Sequence, residues 1–337
     1  MARAGIIAGG NWVVDHVKVI DAWPEQETLA TVLDEAWGNG GGPYNVLKNL
    51  ARLGAAFPRE AIGRLGDDAE GRRIRADCAA HGIDVAQLRV TADAPTSYTD
   101  VMTVAGSRRR TFFHQRGANA RLAPEDFDFS RTPAKWFYLG YLLLLDRLDE
   151  CAADGAPRAR DVFRRARAAG LKTALDCVSG AEDGFRRIVA AVLPEVDVLF
   201  ANDEEAEKLS GVALGRGAAL DRPAVERAAA AILRGGVHEW VIVHFPAGVC
   251  ACHVAGERLW QPAVKFPAGE IGGTAGAGDA LAAGVLLGLH DGWPMARALE
   301  LGVCAAAASL RHPTCSESVE SAAACLALGR RHGFMAG

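Results

Sequence analysis

From residue 135 to residue 276 the chain alternates short apolar runs with amphipathic stretches, and this rhythm constrains the fold more than any other feature. Residues 136–144, 172–178, 196–200 and 240–245 read as strands. Residues 157–169, 183–193 and 222–234 read as the helices between them, and Gly170 stops the first. Such alternation predicts a parallel sheet covered by helices on both faces. Three further helices are expected after Gly276, at about 277–289, 294–310 and 317–331.

The first third reads differently. Residues 5–14 and 28–37 read as strands, and GNGGGP then breaks the chain. Residues 45–53 form a short helix with Val46, Leu50 and Leu53 on one face, and Gly54 suits its stop. Residues 68–81 read as a second helix closed by Gly82. Residues 97–104 and 110–114 flank Ala105-Gly106-Ser107 and predict a β-hairpin. A mainly β first third beside an α/β body predicts one domain over 1–337 with a small β appendage.

Composition narrows the function classes. The chain has 337 residues, 50% of them apolar and 23% charged, which excludes intrinsic disorder. With 37 basic against 41 acidic residues and a net charge of -4, nothing points to nucleic acid or an anionic membrane. The densest basic run, Arg108, Arg109 and Arg110, reads as a solvated hairpin tip. The longest apolar runs, 138–145 and 280–289, fall short of the roughly 20 residues that span a bilayer. The first residues read as a strand and not as a signal peptide, so cytoplasm is the expected location. Eight cysteines are scattered without a CxxC. Cys250 and Cys252, beside His253, form a CxC that reads as buried thiols on one face of a strand, in preference to a zinc site.

The chemistry concentrates in GGTAGAGD, residues 272–279, with four glycines in seven residues at the mouth of a helix. Glycines let main-chain N–H groups converge, and a helix N-terminus adds partial positive charge. Together they make an anion site suited to a phosphate in transfer. A carboxylate at that point, Asp279, repels a bound anion. It makes sense as a base that frees a hydroxyl to attack phosphorus. The alternative is a glycine-rich turn with an acidic residue in the helix's first turn. No Walker A, no GxGxxG after a strand, and no HRD or DFG signature occurs.

Four stretches resemble the ribokinase/PfkB family of sugar and nucleoside kinases. AGAGDALAAG is similar to its C-terminal signature. GGGPYNVLKNLARLG (40–54) is similar to its N-terminal one, AIGRLGDDAEG (61–71) to its GxxGDDxxG stretch, and Asn202-Asp203-Glu204-Glu205 to its NxxE motif. The resemblance implies a three-layer α/β/α sandwich with a mainly parallel sheet, and a β lid built from segments of about 12–38 and 96–116. It implies an ATP-dependent sugar kinase using Mg²⁺, with Asp279 as base and Gly276, Ala277 and Gly278 completing the anion hole. Asp15, read as following the end of the first strand, Gly41, Gly42 and Asn45 match residues that bind sugar hydroxyls. Asn202 and Glu205, the latter through water, match residues that organise magnesium near the nucleotide. An N-cap with its helix partner is the alternative for that pair. Thr274 and Gly248 fall in the nucleotide and magnesium stretches. His114, Arg116 and Asn119 follow the hairpin and either reach the same pocket or are ordinary surface side chains. Family members often pair through the lid, so a homodimer is expected.

The chain departs from the pattern at two points. Gly273-Thr274 stands where the family commonly has Asp-Thr, which leaves a monovalent cation open. Pro246 takes a glycine's place before Gly248, so the nucleotide loop is expected to be reshaped. Gly42-Pro43 is closer to fructokinase-like members than to ribose kinases. A nucleoside kinase, with Trp12, Tyr44 or Phe113 stacking on a base, and a non-catalytic sugar or nucleotide sensor are the competing readings.

Overall fold

A computed structural model describes residues 3–107, 109–178, 184–217 and 220–336. The first third holds β1 (Ile6–Gly10), β2 (Val13–Ile20), β3 (Val32–Gly40), α1 (Gly42–Arg52), β4 (Arg59–Gly66), α2 (Ala69–Ala80), β5 (Ile83–Thr91), β6 (Ser97–Val104) and β7 (Arg110–Gln115). Then come β8 (Trp136–Leu142), α3 (Asp146–Asp149), α4 (Ala159–Ala168), β9 (Lys172–Cys177), α5 (Phe185–Val192) and β10 (Val198–Asn202). The remainder holds α6 (Asp203–Ser210), α7 (Arg222–Arg234), β11 (Trp240–Phe245), β12 (Gly248–His253), β13 (Arg258–Pro262), α8 (Ala277–His290), α9 (Met295–Ser309) and α10 (Ala322–His332).

Among the described residues, nine strands form one sheet in the order β13-β12-β11-β10-β9-β8-β1-β4-β5. From β11 through to β5 every neighbouring pair is parallel, while β12 and β13 are added antiparallel. Its strands are apolar on both sides because both sides are covered. Ile6 and Ala8 pack among α1, α2, α8, α9 and α10, whereas Ile7 packs among α4 to α7. Three layers, helix on sheet on helix, are therefore present as expected. A separate sheet of four strands has the order β3-β2-β6-β7, with β2 and β6 parallel. No helix among the described residues is long and apolar enough to cross a membrane.

Local chemistry explains several boundaries. Asp68 caps α2 by accepting from the Gly71 N–H at 2.8 Å. The α8–α9 pair approaches closely through small residues: a Cβ on Gly284 would sit 2.8 Å from the Gly302 Cα. Residues 222–234 and 240–245 carry the helix and strand that their pattern predicts.

Other expectations fail. The strand read over 5–14 is two strands in different sheets, so Asp15 belongs to β2 of the small sheet and not to the end of the first strand. The break comes at Gly10, whose φ of 128° and approach to the Gly140 carbonyl turn the chain out of the large sheet. The GNG segment does not break the chain but continues β3 to Gly40. The first third is mainly strand, but not all of it is appendage: β1, β4 and β5 belong to the large sheet with α1 and α2 packed on it. The last helix begins at Ala322, because residues 314–316 are used in the site described below. Pro246 and Ala247 form a two-residue turn that pairs Phe245 with Gly248, so the loop is reshaped into a tight hairpin. Cys250 and Cys252 are buried on one face of β12 with sulfurs 3.8 Å apart.

Candidate active site

Chain order in the large sheet reverses at β1. From there β4 and β5 run to one side and β8 to β11 to the other. Open α/β sheets place ligands beyond the strand C-termini at such a switch point. Here those ends are Gly10 of β1 and Gly140 of β8, which lie opposite each other in register.

Asp279 sits at this crevice, in the first turn of α8, and is only 5% exposed. The Asn45 amide of α1 donates to its carboxylate at 2.8 Å. The Tyr141 hydroxyl, just beyond Gly140, donates to its two oxygens at 2.7 and 2.8 Å. Among the described residues no basic side chain pairs with it. Burial raises its pKa to about 6, and the Asn45 and Tyr141 hydrogen bonds restrain that rise.

The start of α8 has the form of an anion hole. Gly276 holds φ at 71°, and a Cβ there would fall 2.4 Å from the Cys315 Cβ. No side chain caps the helix, and helix geometry leaves the amides of Ala277, Gly278 and Asp279 without an intrahelical acceptor. Gly278 faces the end of β11: a Cβ on it would lie 3.2 Å from His244 Cε1. Burial drives the His244 pKa down to about 4, so its ring is neutral.

A second carboxylate faces the crevice from the small sheet. Asp15 is half-buried on β2, level with Thr99 of β6, which is in turn level with His114 of β7. Burial raises the Asp15 pKa to about 7, with a further push from the charge of Asp279. The Cys315 thiol donates to Asp15 at 3.7 Å, and Thr99 Oγ1 lies 3.0 Å from His114 Nδ1. Gly41, at φ 85°, precedes Gly42 and α1; a Cβ on it would strike the Asn11 carbonyl. This turn presents Asn45 to Asp279, while Asn39 binds the Asn45 oxygen at 2.6 Å and Ser316 at 2.8 Å.

Asp15, Gly41, Gly42, Asn45, His114, Gly276, Ala277, Gly278 and Asp279 thus belong to one neighbourhood. The others are placed as follows. Asn119 is fully buried, and its amide accepts from the Trp12 N–H at 3.2 Å and donates to the Trp12 carbonyl at 3.1 Å. Arg116 pairs with Asp146. Asn202 and Glu205 form the reciprocal cap of α6, each side chain meeting the other's N–H at 2.9 Å. Thr274 accepts a hydrogen bond from Arg110. Gly248 lines a cavity of about 270 Å³ with Phe245, Ala247 and Trp260, which no other candidate residue lines. Trp12 and Tyr44 are core residues, 0% and 3% exposed, whereas Phe113 is exposed and stacks on Trp23.

Several site residues escaped sequence reasoning. Asp176, at the C-terminal end of β9, is buried and accepts from the Tyr138 hydroxyl at 3.1 Å. Burial pushes its pKa far up, and the charges of Asp279 and Glu205 push it further. An acidic residue ending an otherwise apolar parallel strand was the available signal. Tyr141 had none, because it continues an apolar run. Arg110 is not the solvated tip its basic neighbours suggested; it opens β7 and turns into the crevice, while Arg108 lies outside the described residues.

Comparison with known proteins bears on the family and the fold. The Salmonella typhimurium aminoimidazole riboside kinase is 34% identical over 152 residues, or 44% of this chain and 45% of that enzyme. The chain therefore spans under half of that relative's length. The Halopiger xanaduensis ATP-dependent ribose-1-phosphate kinase is 30% identical over 293 residues, 86% of each chain. In fold, the chain resembles Arabidopsis thaliana ribokinase solved with ribose and ATP, at TM-score 0.78 and 20% identity, covering 97% of this chain and 99% of that one. With residues 10–322 matching the pfkB family of carbohydrate kinases, the chain belongs to that family, whose members are phosphotransferases with alcohol acceptors.

Proposed function

We propose that this protein transfers the γ-phosphoryl group of ATP to a hydroxyl of a small carbohydrate. The observation that carries the reading is a buried carboxylate, Asp279, held only by the neutral donors Asn45 and Tyr141 at an uncapped helix start. Asp279 takes the hydroxyl proton, the freed oxygen bonds to the γ-phosphorus, and the bond from that phosphorus to the β–γ bridging oxygen breaks as ADP leaves. The amides of Ala277, Gly278 and Asp279 stabilise charge on the transferring group. Asp15 and Asn45, with Gly41 and Gly42 setting the turn, hold the acceptor. His114 stands ready to join them, while Asn119 and Arg116 act one step back by fixing the Trp12 backbone and Asp146.

The carboxylates of Asp279 and Glu205 raise the cost of ionising Asp176, an arrangement that suits a nearby cation. Mg²⁺ commonly keeps several waters and binds mainly through substrate phosphates, so few direct protein ligands are needed. Bound Mg²⁺ would supply charge neutralisation on the phosphates; Glu205, through water, and Asn202 are the residues to organise it, with Thr274 and Gly248 nearer the nucleotide. The chain is one domain, with the four-stranded sheet as a lid that excludes water from the transfer. Exposed Leu33, Trp37 and Phe112 on that sheet support a homodimer through the lid. Light scattering of the purified protein tests the dimer.

The catalytic reading is tested with Mg-ATP and a panel of sugars, following ADP. Asp279→Asn is expected to lose turnover by about a thousandfold or more while still binding ATP. Retained turnover defeats the assignment. A nucleoside acceptor remains the alternative: Trp12 and Tyr44 are closed inside the core, whereas Phe113 is exposed beside Trp23.

A further inference from the structure

The inner face of β7 carries Arg110, which the transfer chemistry above does not use, along with His114. Arg110 and His114 are four residues apart on one strand, so they project from the same face. Arg110 crosses from the small sheet to the glycine-rich loop, where its Nη2 donates to Thr274 Oγ1. Its Nη1 is buried without a partner, and so is His114 Nε2. Among the described residues Arg110 makes no ion pair; Asp15 and Cys315 are the titratable groups close enough to feel its charge. Burial keeps the Cys315 thiol protonated, and with its pKa raised to about 7 Asp15 carries only part of its charge at neutral pH, so neither neutralises Arg110 in full.

A guanidinium stays charged in proteins, and burying its donors unpaired is costly. An exposed hairpin arginine would turn its head to water; this one is held over the acceptor side of the crevice. The unused donors form a planar fork that matches a phosphate or carboxylate. Arg110 stands level with Thr103, four residues along β7 from His114, but Asp15 feels its charge, which sets this fork between Thr274 and the acceptor residues.

We propose that Arg110 binds an anionic group on the acceptor, and hence that the substrate is a sugar already bearing a phosphate or a carboxylate. This rests on the kinase reading and narrows it. The test compares kcat/KM for matched pairs: D-ribose with its 1-phosphate, D-fructose with its 6-phosphate, and D-glucose with D-gluconate. In at least one pair the anionic member is expected to be better by about 30-fold or more, and Arg110→Met to remove that advantage through KM, leaving KM for ATP within about twofold. Arg110→Lys, which keeps the charge without the fork, is expected to retain part of the preference; thermal unfolding checks that both variants fold. Preference for the neutral member in every pair overturns the proposal. So does an Arg110→Met effect that falls on ATP. Turnover surviving in Asp279→Asn would instead defeat the kinase reading itself, whatever Arg110 does.

Discussion

Asp126 and Asp279 are both buried aspartates, and the protein treats them in opposite ways. Asp126 is 0% exposed and sits in a cage of cations: Arg64 donates to it at 2.7 and 2.9 Å, and Arg89 lies at 3.1 Å. It also accepts from the Ala123 N–H at 2.9 Å, tying β4 to the segment after β7. Among the described residues Asp279 has no cation beside it, only an amide and a phenol, and its pKa is raised to about 6. A carboxylate caged by arginines has its oxygens committed to those donors and ties segments of the fold together. One held by neutral donors keeps its basicity and its place. The contrast separates the charge that holds the fold from the charge that does chemistry.

The largest expected effect breaks the comparison outright. Asp279→Asn is predicted to abolish turnover with little change in thermal stability. Asp126→Asn is predicted to leave kcat within about threefold while costing about 2–4 kcal/mol, read by urea unfolding, because it strips a buried partner from Arg64. If both variants lost activity equally without loss of stability, the distinction would fail. A smaller effect is expected from Tyr141→Phe. Removing a donor to the carboxylate form raises the Asp279 pKa, so the acid limb of kcat/KM should move to higher pH, with kcat down about tenfold. An unshifted limb would show that this phenol does not tune the base.

The smallest effect concerns Asp15. Its folded pKa of about 7 lies above its unfolded value, so its contribution to stability is fully present at acid pH and is lost as pH rises through the folded pKa. Asp15→Asn should therefore flatten the fall in melting temperature between pH 5 and pH 8, by a few degrees. It should also raise KM for the acceptor. Melting curves of both proteins across that range decide it; an identical slope argues that Asp15 ionises freely.

The two aspartates also show what a sequence can carry. GGTAGAGD announces an anion-binding helix start through local rules alone, and the structure places Asp279 there with Asn45 beside it. The body after residue 135 was legible because strands buried on both faces and amphipathic helices have distinct patterns. The first third was not, because the exchange between two sheets at Gly10 depends on contact with Gly140, 130 residues away. The antiparallel pairing of β12 with β11 was missed for a related reason: Pro246 gives no hint that Phe245 and Gly248 pair across it. Asp176, Tyr141 and Arg110 reach the site only through tertiary packing, and Arg110 was hidden by neighbours that made it look like surface charge.

The most direct measurement is the pH dependence of kcat/KM for the wild-type enzyme, with circular dichroism confirming the fold at each point. Asp279 acts as a base only when ionised, so the rate should fall about tenfold per pH unit below a midpoint near 6. A rate that stays level down to pH 4.5 in folded protein would contradict the account.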